Sequence, residues 1–179
     1  MRTDTSKRTS DMRITAKEAE DRAKFFYKQL FGMNLIYPVV LLSNKEMDRK
    51  LHEYQLQNMQ MPKRHSDING IFYRHAEEGV GKPSEATIYI NKNRCKDIDQ
   101  FNGTLIHELI HCGLWWQGLE YDDGQPDFER KLREAGLYSN WSYDYSKEEK
   151  DHTYSKKEGD PAAMERYERL YQEWKGARK

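Results

Sequence analysis

Apolar residues recur at helical spacing in several stretches of this chain and alternate at strand spacing in others. Thr15 opens the first helix, with Glu18 in capping-box spacing and Ile14 and Ala19 in staple positions. Ala19, Ala23, Phe26 and Leu30 form its apolar stripe, and Gly32 with Asn34 stops it. Residues 35–42 are short, apolar and rich in branched side chains, a strand that Pro38 places near an edge or bulge. Ser43 with Glu46 makes a second capping box. The helix that follows carries Met47, Leu51 and Tyr54 and runs out before Pro62. Residues 71–75 and 86–91 read as two more strands, joined by a long hairpin loop through Gly79, Gly81 and Pro83.

The longest periodic segment comes next. Asp97 caps it with Gln100 three residues on, Gly118 ends it, and Ile98, Phe101, Leu105, Leu109 and Cys112 form a core stripe over about five turns. A polar loop over 119–127 leads to a short helix that Asp127 caps, with Phe128, Leu132 and Ala135 inward and Gly136 closing it. Residues 137–159 are polar, tyrosine-rich and aperiodic. Asp160-Pro161 then starts a charged final helix with a thin stripe of Ala163, Tyr167, Leu170 and Trp174. That stripe either docks on the domain or binds a partner.

Composition adjusts this picture. Charged residues make up 34% of the 179 positions and hydrophobic ones 36%, so the core is modest and much of the chain is solvated helix or tail. Thirty basic and thirty acidic side chains cancel, which gives no global electrostatic argument for nucleic acid or a membrane surface. The chain has no apolar run of membrane-spanning length and no signal-type apolar core near Met1. Cys95 and Cys112 do not make a disulfide framework, and Cys112 reads as a buried free thiol. These features together lead us to expect a cytoplasmic protein. His65 and His75 read as ordinary surface or loop histidines.

Candidate chemistry lies inside the long helix, where His107-Glu108-Leu109-Ile110-His111 spells His-Glu-x-x-His. Residues four apart lie about 40° apart around a helix, so His107 and His111 can grip one ion. Glu108 stands beside the pair, placed to act as a general base without taking a coordination position. Leu105, Ile106, Leu109 and Ile110 make the surroundings apolar, where two histidines and a glutamate are costly to bury without a ligand or partner.

The order strand, hairpin, strand, His-Glu-x-x-His helix, loop and short helix resembles the SprT-like, or Spartan-like, zinc metallopeptidases over roughly residues 15–137. The family carries a third zinc histidine in a His-Gly-x-x-Phe pattern. Here Gly124-Gln-Pro-Asp-Phe128 stands at the matching spacing, with Gly124 in the histidine's place. The resemblance therefore implies a replaced third ligand. Asp123 is the nearest carboxylate and the expected one; Asp122, Asp127, Glu129 and His152 are the alternatives.

The expected fold is thus α+β and zincin-like, a small antiparallel or mixed sheet packed on the His-Glu-x-x-His helix with flanking helices. Residues 1–12 form a disordered segment, 13–137 the metallopeptidase domain, and 138–179 the tyrosine-rich segment with the C-terminal amphipathic helix. The resemblance implies a zinc peptidase in which His107, His111 and Asp123 hold Zn2+ and Glu108 is the base. Tyr143 or Tyr145 is a candidate oxyanion donor. A protein or peptide substrate would pair along strand 86–91, taken as a sheet edge. Nucleic acid enters as a partner by resemblance only. The alternative is a zincin-like binding protein without hydrolysis, including a phage or mobile-element factor acting on a host protein.

Overall fold

A computed structural model of the chain describes residues 13–58, 68–75, 81–138 and 159–179. The expectations for residues 1–12, His65, Tyr143, Tyr145 and His152 lie outside these. Among the described residues the fold is α+β, in the order α1 (Ala16–Phe31), β1 (Val39–Leu42), α2 (Asn44–Gln57), β2 (Gly70–Arg74), β3 (Ala86–Asn91), α3 (Ile98–Trp116), α4 (Pro126–Glu134) and α5 (Pro161–Ala177). No helix among them is long and apolar enough to cross a membrane.

Local signals account for most of the boundaries. Thr15 accepts from the Glu18 amide, and Gly32 closes α1 in the left-handed region. Ser43 and Glu46 form a reciprocal capping box at α2, and Asp97 accepts from the Gln100 amide at α3. At α4 the structure corrects the expected cap. Pro126 takes the first helical position and Gln125 is the N-cap, so Asp127 already lies inside the helix.

The three strands form one mixed sheet in the order β1-β3-β2, with β1 parallel and β2 antiparallel to β3. This corrects the sequence expectation that 86–91 is an edge: β3 is the central strand, hydrogen-bonded on both sides and buried at all six residues. Its two faces serve different layers. Ala86, Ile88 and Ile90 join Phe72 in the main core, while Tyr89 packs with Ile71, Tyr73 and Met47 of α2. The edges are β1, which follows Pro38, and β2.

Helix α3 runs through the main core. The expected single stripe understates its burial, because every residue from Phe101 to Trp115 is buried. Helix α1 crosses it closely at Gly113, where an added Cβ would lie 2.2 Å from the Phe31 ring. Helix α5 docks on the same body through Met164, Tyr167 and Tyr171, with Phe25 and Phe26 of α1 meeting the Tyr171 and Tyr167 rings.

One ion-pair network locks α5 down. Arg22, 2% exposed, bonds Glu168 of α5, Glu18 one turn earlier and the Asn102 side chain of α3, and its guanidinium lies 4.2 Å from the Tyr171 ring centroid. Burial raises the Glu168 carboxyl, but hydrogen bonds from Arg22, Gln172 and Asn102 outweigh it and leave the pKa below its ordinary value.

Arg22→Ala is expected to lower the unfolding free energy by about 2–3 kcal/mol, less than for a fully buried pair because Glu168 keeps some solvent. Urea unfolding followed by circular dichroism measures it. Because the folded-state pKa of Glu168 is depressed, its contribution is complete above the ordinary glutamate range. It is lost as pH falls through the depressed value, and the acid sensitivity should shrink in Glu168→Gln.

Candidate metal centre

His107 and His111 project from one face of α3, one turn apart, with ring centroids at 4.9 Å. Phe128 of α4, fully buried, orients both: it stacks on His111 at 4.2 Å and 17° and meets His107 edge-on at 5.2 Å. The Nδ1–H of His111 donates to the main-chain carbonyl of Tyr121. That bond fixes the tautomer and turns the Nε2 lone pair toward the space beside His107, the device that orients metal-binding imidazoles.

Asp123 closes the constellation. Its Oδ1 lies 3.0 Å from His107 Nε2 and its Oδ2 3.5 Å from His111 Nε2, and one ligand atom from each of the three residues falls within 4.8 Å of the others. Bonds of about 2.0–2.1 Å in a tetrahedron place ligand atoms roughly 3.3 Å apart, so each imidazole nitrogen and the Asp123 oxygen nearest it are spaced as two ligands of one ion would be. The histidines are 1% and 9% exposed and Glu108 2%, against 36% for the Asp123 side chain. The group is thus sealed on the helix side and open toward the loop.

The other acids near the motif have separate roles in that loop. Asp127 accepts from the Glu120 amide at 3.3 Å while its own amide donates back to Glu120, and it pairs with Arg130. Glu129 accepts from the Gly124 amide at 3.0 Å. Asp122 is exposed; its main chain closes a turn with Gln125. Gly124, at φ 85°, reverses the chain directly after Asp123. Of the carboxylates considered from the sequence, Asp123 is the one brought to the imidazoles.

Electrostatics couple the group. Burial raises the Asp123 carboxyl, but hydrogen bonds and charge from His107 and His111 hold it well below the usual carboxylate range. At His111 burial acts downward, while the bond to Asp123, the charges of Asp123 and Glu108 and the Tyr121 carbonyl raise the pKa above its ordinary value. The donors are two imidazole nitrogens and one carboxylate oxygen, oriented from outside by Tyr121 and Phe128. A His107-His111-Asp123 group of this kind, with both imidazoles buried, could hold a metal ion.

The chain matches no protein-family model, no curated protein and no solved structure. The site therefore rests on its own geometry. Two of its parts escaped the sequence reading of the site. The Tyr121 carbonyl is main chain and carries no side-chain signal. The sequence marks Phe128 as core and as the last residue of the family pattern that begins at Gly124, with no role toward the histidines.

Asp123→Asn is expected to weaken metal binding by about 100-fold or more, since even partners outside the ligand set contribute 10–100-fold, whereas Asp122→Asn should change it little. Competition against a chromophoric chelator reads both. With its pKa raised, His111 is protonated at a higher pH than a free histidine, so a metal must displace that proton. Affinity should fall as pH drops through the raised value, and calorimetry in buffers of different ionisation enthalpy should detect the released protons.

Proposed function

We propose that the protein is a zinc-dependent metallopeptidase of zincin-like architecture. The observation that carries the reading is Glu108, held 2% exposed between the two histidines in sequence while the three-residue donor set is complete without it. A site built only to hold an ion needs no such carboxylate. Two imidazoles and a carboxylate also suit ferrous iron; the added base favours zinc and hydrolysis.

Zinc bound there would supply a Lewis acid for a scissile carbonyl and for water. His107, His111 and Asp123 would hold that charge in place, while Phe128 and the Tyr121 carbonyl keep the imidazoles in register and the buried flank of α3 excludes bulk water. Glu108 accepts the proton of the attacking water and hands it to the leaving amine. Substrate approaches from the Asp123 side, where the group is open. A peptide strand added to β3 is excluded, because β1 and β2 occupy both of its sides.

Glu108→Gln keeps size and most hydrogen bonding but removes the base. Zinc content by elemental analysis should stay near that of the unaltered protein, and cleavage of denatured casein and of a quenched peptide library should fall about 10²–10⁴-fold. Equal cleavage by both proteins would rule out the peptidase. If neither protein cleaves anything while both keep zinc, the reading becomes a zincin-like binding protein.

A further inference from the structure

The first residue of β2 is a glycine, and the reason lies in space rather than in backbone conformation. Gly70 has no positive φ, so any residue could adopt its main-chain geometry. Glycine inside a strand is otherwise unfavourable, which makes close approach of another group the physical ground for it. That group is Glu108. A Cβ added at Gly70 would lie 2.8 Å from Glu108 Cγ, 2.9 Å from its Oε1 and 3.0 Å from Thr104 Cγ2. Thr104 sits one turn before Glu108 on the same side of α3, so strand and helix meet here with only hydrogens on the strand side.

We infer that Gly70 is the positioning residue for Glu108: the bare backbone of β2 seats the carboxylate beside the two histidines. The strand itself is anchored. Gly70 pairs with Ile90 of the central strand, and the neighbouring Asn69 carbonyl accepts from the Asn91 amide at 2.8 Å. Glu108 and Thr104 are both buried, so a side chain entering this contact meets groups with little room to yield. Of the two, the carboxylate end of Glu108 is the more flexible and would be displaced first, while the histidines, held by Phe128 and Tyr121, would stay. The inference rests on the reading of Glu108 as the base. It adds that the base is aimed from the sheet and not from the helix alone.

Gly70→Ala tests it. Metal content and affinity, read by chelator competition, should be unchanged, and KM for the casein or peptide substrate should move little. The kcat should fall about 100-fold, the scale for a reacting group misplaced by about 1 Å. A second measurement reads the contact without activity. The drop in Tm caused by Gly70→Ala should shrink by at least half in a Glu108→Ala background, where Cγ and Oε1 are gone.

Full activity in Gly70→Ala alongside an inactive Glu108→Gln overturns the inference, as does loss of metal together with activity. An equal Tm drop in both backgrounds overturns it too. If the unaltered protein hydrolyses nothing and Glu108→Gln changes nothing, the peptidase reading and the positioning role both fall, while the Tm comparison still decides whether the strand seats Glu108.

Discussion

The constraint on which the rest of the structure depends is the burial of α3. From Phe101 to Trp115 the helix is shielded all round, and Asn102, Thr104, His107, Glu108 and His111 are shielded with it. Polar groups taken out of water cost several kcal/mol each unless partnered, so the surrounding elements must bring partners to them. Helix α1 brings Arg22 to Asn102, and α5 adds Glu168 to the same cluster. The loop before α4 brings a carbonyl and a carboxylate to the histidines, and α4 brings an aromatic face. The Thr104 hydroxyl, also buried, has no hydrogen-bond partner among the described residues. The flanking helices are thus linked to the site through the polar side chains of one helix.

The loop over residues 119–125 shows how a carboxylate is delivered to the imidazoles from irregular backbone. A carboxylate on a free loop would be spread over many positions, and ordering it would oppose binding. Here the ordering is done in advance. Reciprocal Glu120–Asp127 bonds, the Asp122–Gln125 turn and the Gly124–Glu129 bond fix the main chain on both sides of Asp123. The acids that compete with Asp123 on paper hold it in place in space. Asp127 and Glu129 act from the first turn of α4, where negative charge also suits the helix N-terminus.

Elements written in local chemistry were legible before any coordinates. The caps at Thr15, Ser43 and Asp97 lie where hydrogen-bonding side chains precede apolar periodicity, and the motif spacing alone puts His107 above His111. Gly124 was legible in a different way: a residue that cannot bind a metal stood where the resemblance expected one that does, which drew attention to Asp123 next to it. Strand order was not legible. Ala86–Asn91 alternates as a half-exposed strand would, yet both faces are covered, because Tyr89 packs with Met47 of α2 and the Thr87 hydroxyl bonds the His75 ring. Nothing local to a strand records which neighbours flank it. The same holds for Gly70, whose meaning depends on a side chain 38 positions further along the chain.

Charge gives the final argument about what the site takes. With both imidazoles neutral, His107, His111, Asp123 and Glu108 carry a formal charge of minus two in a largely buried space. Burial opposes such a charge unless cations balance it. The balance has two sources. Protons on the imidazoles supply one, in keeping with the raised His111 and the depressed Asp123. A divalent ion would supply the other, neutralising the same two carboxylates while leaving the imidazoles free to bind through nitrogen. Proton and metal therefore compete for one electrostatic vacancy. A carboxylate at Asp123, compared with a third neutral imidazole, would strengthen the hold on a dication. In the proposed peptidase it would also lower the residual positive charge available to polarise a substrate carbonyl. On that ground the proposed hydrolysis would lean more heavily on Glu108, and the placement of that one carboxylate would become the property that the sheet, through Gly70, has to secure.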